Sequence, residues 1–209
     1  MIVEITGSHA CFTRPELKME RVSYDFITPA SARSIIQSIY WKPEIAIVID
    51  KIEIINPIQR QAIFRNEISN MQSARMAPII VDTKTQRQQR MSVVLTDVKY
   101  RIHFHISLTD KEQESPTNNL GKHYEIMTRR LEKGQQYSQP YLGLREFVTN
   151  EVRLITNIAD EPPAANINND CGYMFYDFDY TKSHRIAPIY YHAVINNGIV
   201  DLTTAYKTK

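Results

Sequence analysis

Little in this chain would crosslink it, export it or hold it in a bilayer. Its 209 residues include two cysteines, Cys11 and Cys171. They form no CxxC or other metal-ligand spacing, which argues against a zinc site or a disulfide framework and fits a reduced, cytoplasmic interior. The opening stretch "MIVEITGSHACF" has neither a basic n-region nor a long apolar core, so no signal peptide is read. The longest clearly aliphatic run, Ile45–Ile49, is far below the roughly 20 residues that span a membrane, and no membrane partner is expected. Internal repeats and low-complexity tracts are missing as well. So is a strong charge of either sign: the net charge is +2, with 43% apolar and 23% charged residues, ordinary values for a globular protein.

Charge is distributed less evenly than the total implies. Residues 84–105 carry Lys84, Arg87, Arg90, Lys99 and Arg101 against the single acid Asp97. Residues 157–180 carry Asp160, Glu161, Asp170, Asp177 and Asp179 and no Lys or Arg. A polyanion would be met by the basic middle.

Periodicity supplies the elements. "IVEIT" (2–6) reads as a strand. In "TPASARSIIQSIYWKP", Thr28 can cap a helix, Pro29 suits its first position, Ile35, Ile36 and Ile39 form a buried stripe and Pro43 stops it. "EIAIVIDKIEII" (44–55) is a β-branched strand closed by Asn56-Pro57. Residues 58–90 give no clear pattern. "MSVVLTDVKYRIHFHISL" (91–108) is the clearest strand signal, with Val98, Tyr100, Ile102, Phe104 and Ile106 on one face and Lys99, Arg101, His103, His105 and Ser107 on the other. The polar run 109–119 is a loop. Residues 121–133 are a helix with Tyr124, Met127 and Leu131 on its apolar side and Gly134 as its stop, and 141–155 return as strand.

This order is β-α-β-β-α-β with an extra strand or hairpin between the central strands. It is the split βαβ, ferredoxin-like pattern of an α+β protein. Residues 1–158 are expected to form that domain, and 159–209 a small β-rich attachment with a hairpin at "NNG" (196–198).

Four constellations carry possible chemistry. His103 and His105 could hold a metal, yet no third ligand has recognisable spacing, so a polar strand face, open to RNA phosphates, is the plainer reading. Cys11 and Cys171 lack any nucleophile signature and read as inert. Asp177 and Asp179 could pair on a divalent ion or simply serve an edge or turn. In "GKHYEIMTRRLEKG" (121–134), Lys122 and His123 fall at a helix N-terminus, where free N–H groups and the dipole favour phosphate. Arg129 and Lys133 follow on roughly the same face, which suits a phosphate backbone or plain solvent. A histidine there can move a proton near neutral pH, and a lysine can stabilise a phosphorane-like charge.

"SIYWKPEIAIVIDKIEIINPI" (38–58), "RNEI" (65–68), "GKHY" (121–124), "YLGLREF" (141–147) and "GYMFYDFDY" (172–180) occur in this order. Together they resemble the CRISPR-associated Cas-five family, subtype d, of type I-C systems, within the RAMP superfamily of RNA-binding proteins. The resemblance implies a ferredoxin-like RAMP domain. It also implies a metal-independent endoribonuclease, without cofactor, that cuts the CRISPR repeat stem-loop in precursor RNA. The enzyme would then stay on the guide RNA with the other subunits of the interference complex; target DNA is an open further partner. The family's tyrosine, lysine and histidine fall on Tyr40, Lys122 and His123. Lys99, Arg101, Arg129, Arg130 and Arg145 are the candidate RNA-binding residues. Trp41 could stack on a base, although a core position is the simpler expectation. Many RAMP proteins carry a late glycine-rich loop, whereas Gly172 alone marks that region here. Two other readings stay open: a non-catalytic subunit capping the guide's 5′ end, and a metal-dependent nuclease using Asp177, Asp179 or the histidine pair.

Overall fold

The computed structural model describes residues 1–69, 73–78, 84, 86–109, 119–180, 186–205 and 207–208. The loop expected at 109–119 lies, from 110 to 118, outside the described residues. The protein is mixed α/β, mostly antiparallel sheet with two helices.

Strand β1 (Ile2–Ala10) leads through a capped turn into α1 (Pro29–Ile39). Thr28 accepts a hydrogen bond from the Ser31 amide, Pro29 opens the helix and Ile35, Ile36 and Ile39 are buried, as the sequence indicated. In β2 (Ile45–Ile54) the register slips at Asp50. The bulge changes which parity faces inward: Ile45, Ile47 and Ile49 are buried before it, Ile52 and Ile54 after it.

The unclear stretch becomes β3 (Gln59–Ile68), which pairs with the first half of β4 (Arg87–Leu108). The second half of β4 pairs with β2. Helix α2 (Leu120–Glu132) and β5 (Glu151–Leu154) come next. The strand order is β5-β1-β4-β2, every neighbour antiparallel. Hence β1 and β2 run parallel on either side of β4, linked by α1, and β4 and β5 run parallel on either side of β1, linked by α2.

The strand expected over 141–155 is shorter than the sequence suggested. Residues 141–150 form a turn closed by a bridge between Tyr141 and Val148. Gly143 has φ of 86°, and a Cβ there would stand 2.0 Å from the Cys11 carbonyl oxygen. Extended backbone is incompatible with that close approach.

The C-terminal part adds β6 (Asn169–Asp179) and β7 (Ala187–Ile195), which form a second sheet with β9 (Lys207–Thr208), whereas β8 (Ile199–Asp201) joins the main sheet beside β2. The β7–β8 turn is the one read from "NNG": Asn197 and Gly198 have φ of 49° and 75°. Met174, Tyr191 and Ile195 share a buried cluster with Ile36 and Phe104, so the tail and the body have one core.

On the sheet face that carries the charged residues of β4, Arg153, Glu4, Arg101 and Glu53 stand opposite one another on four successive strands. Arg101 is 1% exposed; its guanidinium donates to Glu53 at 2.8 Å and to the Pro162 carbonyl at 3.1 Å. Arg153 donates to Glu4 at 2.8 Å, and Lys99 lies 3.1 Å from the same carboxylate. Burial pushes the carboxyls of Glu4 and Glu53 up. Bonds from Arg153 and Lys99 to the first, and from Lys51 and His103 to the second, outweigh it and leave both below the ordinary value of 4.5.

Arg101→Ala removes the buried charge-assisted bond to Glu53, while Glu4 and Glu53 keep their other cations, and should cost about 1.5–3 kcal/mol in chemical denaturation. Because both carboxyls are depressed, their stabilisation is fully present above about pH 4.5 and fades as pH falls through their lower folded values. A denaturation midpoint insensitive to acid below that point would contradict this assignment.

Candidate active site

Helix α2 is seated from both ends. Asn119 caps it by accepting from the Gly121 amide at 2.9 Å. One turn later the Tyr124 hydroxyl accepts from the Ile106 amide at 3.0 Å, beyond His103, where the pairing of β1 with β4 stops. Met127 and Leu131 are buried beneath, so Tyr124 belongs to the apolar side as expected. Near the other end, Arg130 donates to the Ile39 carbonyl at 2.7 Å and ties α2 to the last turn of α1.

That tie fixes the path of the chain as it leaves α1. Tyr40 exits the helix in extended conformation, with φ of −152°, and turns its ring inward to 4% exposure. Its hydroxyl sits 2.9 Å from Nδ1 of His123, with ring centroids 6.0 Å apart. The Arg130 guanidinium carbon lies 5.2 Å from the Tyr40 ring centroid, within cation–π range. Burial raises the Tyr40 phenol above its usual pKa; the Arg130 charge pulls it back and Glu44 pushes it up further. The phenol is therefore neutral at physiological pH. A neutral phenol either donates to Nδ1, leaving a proton on Nε2, or accepts from Nδ1, leaving a lone pair on Nε2. In both tautomers Nδ1 is engaged by the phenol.

The other candidates are spread differently. Lys122 is exposed in the first turn of α2, with Arg129 and Lys133 exposed further along it. Arg145 is exposed in the turn after Gly143. Arg130, read as an RNA contact, is half-buried and bound to Ile39 and Tyr40. Lys99 pairs with Glu4, and Arg101 is enclosed in the charge row, where a bound phosphate would have to displace Glu53. Trp41 is not in the core: it is 53% exposed.

The remaining constellations find local uses. His103 bonds Glu53 at 2.6 Å and His105 bonds Asp50 at 2.9 Å, each histidine on its own carboxylate. Burial and the Lys51 charge lower the His103 pKa, against the pull of Glu53. Asp177 is gripped by Arg33. Cys11 and Cys171 are both free; burial raises the Cys11 thiol, and burial with the Asp25 charge raises Cys171 to about 11, so neither is a ready thiolate. Among the described residues, no three His, Cys, Asp or Glu side chains gather closely enough to hold a metal ion.

Sequence reading missed two features. Arg130 stacking on Tyr40 had no local signal, because the partners are ninety positions apart. The exposure of Trp41 could have been inferred from the inward turn of its neighbour, since successive residues of an extended segment face opposite ways.

Residues 1–203 match the family model described as CRISPR-associated protein, of the Cas5d type. The chain is 39% identical over 219 residues to the protein named CRISPR pre-crRNA endoribonuclease Cas5d of Mannheimia succiniciproducens, covering 98% of this chain and 95% of that one. It is 33% identical to the protein of the same name from Thermus thermophilus, over 96% of this chain and 90% of the relative. A crystal structure of a CRISPR-associated protein superposes with a TM-score of 0.73 at 23% identity, over all of this chain and 95% of the other, which establishes a shared fold.

Tyr40→Phe removes one hydroxyl and leaves the ring in place. The His123 imidazole nitrogens should shift and change tautomer ratio in nitrogen-15 NMR, while the thermal midpoint stays close to wild type. An unmoved His123 signal would show that the phenol does not hold the ring.

Proposed function

Because the chain belongs to the Cas5d family of CRISPR-associated proteins, we propose that it is an endoribonuclease that cuts CRISPR precursor RNA within the repeat. The observation that carries this reading is the 2.9 Å contact between the Tyr40 hydroxyl and His123 Nδ1. The β5-β1-β4-β2 order supports a ferredoxin-like RAMP domain over residues 1–158. Residues 159–209 are then an extension that adds β8 to the sheet edge and a second sheet beside α1.

The RNA's own 2′-hydroxyl is the nucleophile. It loses its proton and attacks the adjacent phosphorus in line; the bond from phosphorus to the 5′-oxygen breaks and that oxygen takes up a proton. The products are a 2′,3′-cyclic phosphate and a 5′-hydroxyl. His123 carries one of these protons. Tyr40, buried and neutral, acts through His123: it holds the ring by its Nδ1. Lys122, exposed in the first turn of α2, answers the negative charge that builds on the phosphorane oxygens. The cycle needs no metal and no cofactor. Arg129 and Arg145 are exposed and suited to phosphates. Arg130 acts as a positioning residue for Tyr40, and Lys99 and Arg101 are candidates only at sites where RNA can compete with their carboxylates. After the cut the protein stays on the guide RNA among the other subunits of a cytoplasmic type I-C interference complex, where target DNA is a further candidate partner.

Incubating the purified protein with labelled repeat RNA in excess chelator tests this. Cutting at one position, with a cyclic phosphate on the upstream fragment, is expected. Tight binding without cutting would make the chain a capping subunit, and cutting only with added divalent ion would make it a metal-dependent nuclease. His123→Ala should slow cleavage by about 10²–10⁴ and spare much of the binding. A 2′-deoxy nucleotide at the scissile position should abolish the reaction.

A further inference from the structure

A groove of about 450 Å³ runs beside α1. The helix contributes Ser34, Gln37 and Ser38; the segments just after α1 and α2 contribute Trp41, Tyr137 and Tyr141. These three rings are unusually open to water: Trp41 is 53% exposed, Tyr137 88% and Tyr141 39%. Their placement is fixed by backbone. The Tyr137 amide donates to the Ser38 carbonyl at 2.8 Å and the Ser138 amide to the same oxygen at 3.2 Å. Tyr40 is extended, so its ring goes inward to His123 while Trp41 goes outward to the groove. One short segment thus serves both places.

The chemistry of the lining selects among occupants. The lining is mixed: Ala30, Ile35 and Pro140 lie among the rings, and the outer side of α1 adds the Ser34 and Ser38 hydroxyls and the Gln37 amide. The Ser34 and Ser38 hydroxyls donate to the carbonyls of Ala30 and Ile35 and keep lone pairs to accept with. No Asp or Glu is among the described residues that line the groove, so no fixed negative charge faces a phosphodiester there. Exposed Lys42 comes directly after Trp41, and exposed Arg145 lies two residues after the lining residue Gly143. Aromatic faces for stacking, small polar groups for base edges and a lining without acids are what single-stranded nucleic acid requires.

We infer that this groove binds unpaired nucleobases of the RNA strand, stacked on Trp41 and Tyr137. The inference rests on RNA being the substrate. It adds a place for single-stranded nucleotides flanking the repeat stem, separate from the Tyr40–His123 pair.

Trp41 is the chain's one tryptophan, so its fluorescence reports on the groove directly. The full chain is titrated with repeat RNA that has a single-stranded flank and a 2′-deoxy scissile nucleotide. Binding is tracked by Trp41 fluorescence and, independently, by anisotropy of a dye on the RNA. The expected result is a saturable change in fluorescence with the same midpoint as the anisotropy. Trp41→Ala and Tyr137→Ala should each weaken binding by at least about fivefold, and Trp41→Phe should restore most of it. Their exposure leaves the core intact. RNA that binds and is cut while fluorescence stays flat and Trp41→Ala binds as wild type overturns the groove alone. A wild-type chain that neither binds nor cuts overturns the groove and the nuclease reading together.

Discussion

The alternating row Arg153, Glu4, Arg101, Glu53 holds the main sheet in one register. A slip of one residue on any of these strands would turn its charged residue into the helix-covered face and its aliphatic neighbours outward. It would also leave a buried charge unpaired, which is costly in a low dielectric. The row thus does more for specificity than for net stability, since desolvating four charges consumes much of what their attraction returns. The close Lys99 on Glu4, and the Lys51 and His103 on Glu53, keep both carboxylates ionised within it.

Everything at the candidate site hangs from that register. Helix α1 crosses from β1 to β2 and α2 from β4 to β5, so the positions of the helix ends depend on which strand residues are paired. The Tyr124 hydroxyl on the Ile106 amide converts the end of the β1–β4 ladder into a stop for the first turn of α2. Arg130 on the Ile39 carbonyl does the same for the last turn of α1. Between these two fixed points the Tyr40 phenol and the His123 imidazole meet without a loop to adjust them. On the proposed reading, a proton carrier held by regular structure loses less entropy on reaching its working geometry than one on a mobile loop.

Much of this was legible in the sequence, and the limits are physical. The alternation over 91–108 and the capped helix at 29–39 are local signals, set by the pleat and by orphan amides, and both survive in the structure. The "GKHY" and "IYWKP" stretches named Tyr40 and His123, but no local rule could show that their side chains touch. Residues 141–150 read as strand because their apolar pattern is real; the close approach of Gly143 to Cys11 overrides it, and that contact is non-local. Trp41 reads as core by hydrophobicity alone. Its exposure depends on the inward turn of Tyr40, hence on His123, eighty-odd positions away.

The linear charge pattern misled for a related reason. Five cations in twenty-two residues suggest a basic patch, yet a strand places alternate residues on one face, where the acids of neighbouring strands meet them. Lys99 goes to Glu4, Arg101 to Glu53 and Arg90 to Glu67. The acidic late segment is answered in the same way, with Asp177 on Arg33 and Glu161 on Arg153. Lys122 and Arg129 on α2, Lys133 at its C-terminal cap and Arg145 in the turn after Gly143 are instead exposed. On the proposed reading, a buried Tyr40–His123 pair moves protons and exposed cations hold phosphates, which separates two demands that conflict in one place. Proton transfer works best where water is excluded, and phosphate binding works best where ions can exchange. The fold resolves the conflict by sending Tyr40 inward and leaving the cations of α2 outside.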